Sequence, residues 1–321
     1  MKLLSLWNNL RHKYGCIHSW VTTWRTWPVF DWINAAEYYR SGKYLDAERS
    51  YKQGLEKHPF HPARFCAAMD LTRCLIAQEK YEAADKYLRR LSAELPRSRR
   101  VHTALFDLQL RLGLTLEAAW TLRRAARYIA LDEELTGRYF YCVVDNGGPS
   151  FLLDEVRKLV GGVKIAGKST LLIRAAEVRH TLETQGYVPK LLKALETMAD
   201  EESAGMEVVL LAAEALLRSG KIASARRVLR KGMKLDSSYP RVLSLFAETY
   251  LRAGPFYQPD YALQLASDAC RKSAWKSPRE MHVLAEAYFH LNDHLAALAT
   301  AQRAQSEGGR LLGTYRDAAS L

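Results

Sequence analysis

Three sets of residues have types and spacings that could do chemistry. "GGVKIAGKST", residues 161–170, spells G-x-x-x-x-G-K-S from Gly162. In such a loop, ending here at Gly167, Lys168 and Ser169, backbone amides cradle phosphates, the lysine neutralises them and the serine holds magnesium. Glu286, His290 and His294 follow one another at four-residue steps, which on a helix sets three metal-ligating groups along one stripe. Five cysteines, Cys16, Cys66, Cys74, Cys142 and Cys270, form no C-x-x-C pair, and their odd number suits reduced, buried thiols in a cytosolic compartment. No serine or cysteine has a base nearby in a recognisable local pattern, and His58 and His61 flank Pro59 as turn residues. What any of these can do depends on the elements that hold it. A phosphate loop follows a buried parallel strand in a chain where strands and helices alternate.

The 321 residues are 48% hydrophobic and 26% charged, enough to bury a sizeable core. The longest apolar run, Val208 to Leu217, is too short to span a bilayer and contains Glu214. The opening "MKLLSLWNNLRHKYG" has a broken apolar stretch and no clear cleavage site, so it does not read as a secretory signal. Net charge is +12 and concentrates in two windows. Lys86 to Arg127 holds ten basic and three acidic residues, for +7, and Arg218 to Lys234 holds seven basic and no acidic ones, again +7. Such windows favour acidic protein surfaces, anionic lipid or nucleic acid without choosing among them.

Apolar residues recur every three or four positions and turn residues punctuate the chain, so helices dominate and strand signals are scarce. "AAEYYRSGKYLDAERSYKQGLEKHP", ending at Pro59, and "CLIAQEKYEAADKYLRRLSAELP", ending at Pro96, share one pattern. Each runs tyrosine, alanine three on, a large apolar residue four later, then proline. This resembles the tetratricopeptide repeat, a pair of antiparallel helices with small residues where the two touch. The small residue of each second helix recurs at Ala47, Ala84, Ala118, Ala225, Ala262 and Ala297, at spacings of 37, 34, 107, 37 and 35. The gap of 107 has room for two degenerate units, with markers at Leu191 and near Glu155. The resemblance therefore implies an all-α, right-handed superhelical solenoid of about eight helix pairs. Its segments are 1–27 (a Trp-rich amphipathic start), 28–131 and 205–306 (clear repeats), 132–204 (degenerate repeats) and 307–321 (a tail).

In this register the glycine-rich motif is an inter-repeat turn. Gly161 and Gly162 end a helix at Val160, and Ser169 caps the next one. The resemblance further implies that first helices line a concave groove that meets a partner. Asp107 and Arg111, Glu214 and Arg218, Glu248 and Arg252, and Glu286 and His290 are four aligned pairs there, each an acid with a base four residues on. They read as helix-internal pairs, or as a charged stripe for a polar peptide beside apolar Leu217, Leu251 and Phe289. Arg226, Arg227, Arg230, Lys231 and Lys234 form an outer basic ridge without the aromatics that stack nucleic-acid bases, so nucleic acid is a weak candidate. Trp7, Trp20, Trp24 and Trp27 sit at helical spacing among basic residues, fit either to cap the first repeat or to touch an anionic membrane surface.

The expectation is a non-catalytic scaffold or adaptor in a multiprotein assembly, with neither cofactor nor metal, in the cytoplasm or peripheral at the inner face of a membrane. Two alternatives stand beside it: a peripheral membrane organiser attached through the Trp-rich start, and an ATP-binding protein using Gly162 to Ser169.

Overall fold

The structure, a computed structural model, describes residues 29–319 apart from 148, 149, 166, 168, 169 and 187, with backbone alone from 310 onward. Among the described residues there are sixteen α-helices and no strands. They fall into two compact units, residues 1–94 and 95–321, so the division lies inside the repeat block expected over 28–131.

Unit 1 contains two hairpins, α1 (Phe30–Arg40) with α2 (Tyr44–Lys57), and α3 (Arg64–Ala77) with α4 (Tyr81–Glu94). Unit 2 contains six. They are α5 (Arg99–Arg111) with α6 (Thr115–Ala125), α7 (Glu133–Asp145) with α8 (Ser150–Ile165), α9 (Leu171–Gln185) with α10 (Pro189–Asp200), α11 (Met206–Arg218) with α12 (Ile222–Leu235), α13 (Pro240–Leu251) with α14 (Pro259–Lys272), and α15 (Pro278–His290) with α16 (His294–Ala319). The chain is thus an all-α repeat solenoid, as expected. The residues expected as a tail continue α16 to Ala319.

The alanine ruler has a structural meaning. Ala47, Ala84, Ala118, Ala225, Ala262 and Ala297 are each the fourth residue of a second helix, and all are buried. At that depth a larger side chain would push the paired helix away. In the two degenerate hairpins the equivalent residues are Leu153 and Leu192, both buried, which corrects the markers placed near Glu155 and at Leu191. In α12, Ala225, Val228, Leu229 and Gly232 bury one stripe, the i, i+3, i+4, i+7 pattern of a helix covering a core. α11, between neighbours, is buried from Val208 through Leu217.

Helix ends follow local chemistry. Proline opens α10, α13, α14 and α15, where its missing N–H costs nothing. The Asp132 carboxylate caps α7 by accepting from the Leu135 amide at 3.0 Å.

In unit 1 the two hairpins are pinned by Glu48, 8% exposed, which accepts from Lys52 Nζ at 2.6 Å, Lys80 Nζ at 2.7 Å and Gln78 Nε2 at 3.0 Å. Burial alone would raise its pKa, but these three donors outweigh it and bring the carboxyl down to about 2. A lowered folded-state pKa stabilises above the unfolded value of about 4.3 and ceases to do so as pH falls through the folded value. An NMR titration of the Glu48 carboxyl carbon is therefore expected to find its midpoint well below pH 4. A midpoint in the ordinary glutamate range would show that the three donors are not in place.

Candidate functional site

The first helices of unit 2 supply the residues expected to stripe an open groove. They pack directly on one another, α7 on α9 and α11, α9 on α11, α11 on α13, and α13 on α15. Many of their charges pair with residues of other helices or turns in unit 2. Arg138 on α7 binds Asp107 on α5 at 2.7 Å and Glu207 on α11 at 3.0 Å, with its guanidinium over the Phe106 ring. Arg111 at the end of α5 reaches Asp236 at 3.2 Å and Ser238 at 3.0 Å, just before α13. Arg279 on α15 clamps both carboxylate oxygens of Asp145, the last residue of α7, at 2.7 Å. Glu214 on α11 accepts from Arg241 Nε at 2.9 Å, with Arg179 and Arg279 each 4.0 Å away. The turn between α5 and α6 touches the start of α15. A Cβ added to Gly113 would lie 2.5 Å from Ser277 Oγ and 3.1 Å from Glu280 Oε2.

These contacts fix the electrostatics of the interior. Burial would raise the Glu214 pKa, but Arg241, Arg279 and Arg179 outweigh it and hold the carboxyl below its ordinary value. Glu280, wholly buried, is the opposite case: burial dominates and raises its pKa, and neither carboxylate oxygen has a hydrogen-bond partner. Asp145 raises the Arg279 pKa against the opposing effect of burial.

Of the four aligned acid–base pairs, only Glu248 and Arg252 bond to each other, and Arg252 also lies 3.8 Å from Glu286. Asp107, Arg111 and Glu214 have the partners given above, and Arg218 binds Glu183 at 3.1 Å. Leu217 and Leu251 are core residues, whereas Phe289 is 60% exposed. His290 Nδ1 meets the Tyr257 hydroxyl at 3.2 Å, and His294 packs against Phe289. The expected groove thus divides. Its earlier members are engaged with other helices of unit 2, and Glu248, Arg252, Glu286, Phe289 and His290 gather with Tyr257 at the turn edge of the last hairpins. Beside them lies a pocket of about 420 Å³ lined by Gly220 to Ser224 and Arg252 to Phe256.

The outer basic ridge needs correction. Arg226 is buried, donating to Thr249 Oγ1 at 2.8 Å and Tyr250 OH at 2.9 Å beneath the rings of Phe246, Tyr250 and Phe256. Desolvated cation–π contact and hydrogen bonding replace the water it would have had outside. Arg227 binds Glu196 and Asp200, and Lys231 donates to the carbonyls of Ala199 and Glu201 at the end of α10. Arg230 and Lys234 are exposed.

The glycine-rich motif is a turn with a shifted register. Gly161 and Gly162 lie inside α8, Gly167 carries the left-handed φ of +70°, and Thr170 caps α9 by accepting from the Ile173 amide at 3.3 Å. Lys168 and Ser169 lie outside the described residues, as do Trp7, Trp20, Trp24 and Trp27. With Gly162 inside a helix and no strand before it, the supports of a phosphate loop are missing among the described residues. Among those residues, no three histidine, cysteine or carboxylate side chains converge to hold a metal ion, and no helix is long and apolar enough to cross a membrane.

Sequence reasoning missed Asp145, Asp236 and Arg279. Asp145 closes the apolar run "YFYCVVD", and an acid ending a buried helix was the one signal that a cation must meet it.

Six of the eight helix pairs carry a small residue at the fourth position of the second helix, which makes them similar to tetratricopeptide repeats. The family model described as tetratricopeptide repeat matches residues 38–108, and the chain beyond that span also folds into helix hairpins. No curated protein matches the sequence. Among solved structures, a tetratricopeptide repeat protein from Parabacteroides merdae is similar, with a TM-score of 0.56 at 14% identity, over 80% of this chain and 97% of that one. The human IFIT1 dimer with m7Gppp-AAAA is similar with a TM-score of 0.50 at 13% identity, over 92% of this chain and 72% of that one. Likeness at such identity is a likeness of fold.

Proposed function

We propose that the protein is a non-catalytic scaffold that holds a partner protein, docked on the turn edge of its last hairpins. The observation that carries this reading is the cluster of solvent-exposed Tyr257 and Phe289 on His290, with Tyr257 next in the chain to Phe256, which with Arg252 lines a pocket of about 420 Å³. Aromatic rings at a surface that also presents fixed charges supply both the apolar anchor and the register that protein interfaces use. The fold itself favours this role, because stacked hairpins present long surfaces on which a partner can dock.

Capture from native extract tests it. The unaltered chain is expected to retain a partner that Phe289→Asp loses and that Phe60→Asp, changed at an aromatic 97% exposed in unit 1, keeps. Loss of at least about tenfold in bound partner is expected when a central aromatic anchor is replaced by a charge. Equal retention by both variants would move the docking surface elsewhere.

A further inference from the structure

We propose that the contact of the α5–α6 turn with the start of α15 is a proton-controlled seam: unit 2 is closed there while the Glu280 carboxyl is neutral, and it opens when that carboxyl ionises. The inference is independent of the docking surface proposed above.

The seam joins hairpins far apart in the chain. Arg111 meets Asp236 and Ser238, the Tyr239 hydroxyl lies 3.5 Å from the Leu110 carbonyl oxygen, Arg279 grips Asp145, and the Gly113 turn rests on Ser277 and Glu280. This last contact is unlike the others, because it leaves bonds unmade. Ser277-Pro278-Arg279-Glu280 has the order of a capping box, in which the N-cap serine accepts from the amide three residues on and the glutamate accepts from the serine amide. Ser277 has the extended backbone of an N-cap, but its hydroxyl makes no capping bond and neither Glu280 oxygen has a partner. Both side chains are buried and lie against the Gly113 turn instead. Three polar atoms buried without partners oppose closure. If the turn retreats, the box can form and water can reach the carboxylate.

Protonation decides between the two arrangements. Around Glu280 stand Tyr239 just before α13, Arg241 within it, Asp145 at the end of α7, Cys270 of α14, and Arg279 next to it in α15. Arg241 is bonded to Glu214 and Arg279 to Asp145, and burial outweighs their attraction for Glu280, which raises its pKa in the closed form. In the open form the carboxylate stands in water at a helix N-terminus, where negative charge is favoured. The support that Glu280 gives to closure is therefore complete below its ordinary value of about 4.3 and is lost as pH rises through the closed-form value.

The test is hydrogen exchange on the full chain between about pH 5 and pH 8, corrected for the intrinsic rate at each pH and read in the Gly113 turn and α15, with α1 to α4 as reference. Protection at the seam is expected to fall as pH rises, by up to about tenfold per pH unit, because opening releases one proton. Glu280→Gln is expected to stay protected, with a flat profile. Ser277→Ala is expected to raise protection at the upper end of the range by roughly fivefold, because it removes a cap that only the open form uses. A serine that served the closed structure alone would leave protection unchanged or lower it. If Glu280→Gln lacks the helical circular dichroism of the parent, Ser277→Ala decides by itself.

The proposal is overturned by protection that is constant with pH, or that rises with it as protonation of Asp145 or Asp236 would produce. A pH profile that Glu280→Gln retains also overturns it, since the titrating group would then lie elsewhere in unit 2. So does a Ser277→Ala chain no better protected than the parent.

Discussion

Gly113→Ala is expected to destabilise unit 2 by about 2–4 kcal/mol, the sum of a backbone and a packing cost. Gly113 has φ +72°, in the left-handed region that a Cβ disfavours by about 1 kcal/mol. The added methyl would also sit 2.5 Å from Ser277 Oγ, well inside contact distance, and 3.1 Å from Glu280 Oε2. Forcing a methylene into a closed site costs about 1–3 kcal/mol more, because the start of α15 must retreat. Gly220 separates the two contributions. It has φ +73° and nothing within 4 Å of an added Cβ, so Gly220→Ala should cost only the first, about 1 kcal/mol. Hydrogen exchange measured helix by helix reads the difference, with α1 to α4 as internal reference. Protection in α5, α6 and α15 should fall much further for Gly113→Ala than for Gly220→Ala. Equal losses would mean that the α5–α6 turn does not rest on α15.

That contrast also shows where the sequence stops being readable. Helix pairing is local: the alanine at the fourth position of a second helix and the left-handed turn residue two before that helix lie within one repeat. Gly42, Gly113 and Gly220 mark three such turns, and the ruler of alanines located six of the eight hairpins. In the two degenerate hairpins leucine stands at the marker position, and the expected register slipped by one or two residues there. Closure of the inner face is not local. Arg111 meets Asp236 and Arg279 meets Asp145 across more than one hundred residues, and their approach depends on small rotations accumulated over several hairpins.

A single sequence carries the charges but not that curvature, so four acid–base pairs alike in spacing do not form one stripe: the first two engage other helices and the last two gather with Tyr257. Arg226 misled for another reason. Its neighbours in sequence are basic and solvated, but the insertion before α14 brings Phe256 over its guanidinium 4.3 Å away, which turns a surface cation into a buried one. The two basic windows likewise find counter-charges elsewhere: Arg99 on Asp132, Arg123 on Glu155, Arg218 on Glu183 and Arg227 on Asp200.

Glu214→Ala is expected to cost unit 2 about 3–5 kcal/mol. The carboxylate is 5% exposed and stands among Arg179, Arg241 and Arg279, so its removal takes the direct partner from Arg241 and leaves it near two further guanidinium groups, which keep Glu183 and Asp145. Arg241→Met should cost clearly less, because Glu214 keeps Arg279 and Arg179 and the methionine fills much of the vacated volume. The acid is thus the hub and each arginine a spoke, and the order of the two losses, read from hydrogen exchange in α11, α13 and α15, tests that geometry.

Acid gives an independent check, because the two interior glutamates respond with opposite sign. Glu214 has a lowered folded-state pKa, so its contribution is present above the unfolded value of about 4.3 and is lost as pH falls through the folded one. Glu280 has a raised folded-state pKa, so its contribution is complete below about pH 4.3 and disappears as pH rises through the folded value. Glu280→Gln should therefore stabilise unit 2 at neutral pH by sparing a buried carboxylate its charge, in the same medium where Glu214→Gln destabilises it. Two substitutions of identical chemistry with effects of opposite sign would follow from arginines that outweigh burial at Glu214 and are outweighed by it at Glu280. Matching signs would refute the arrangement of the interior.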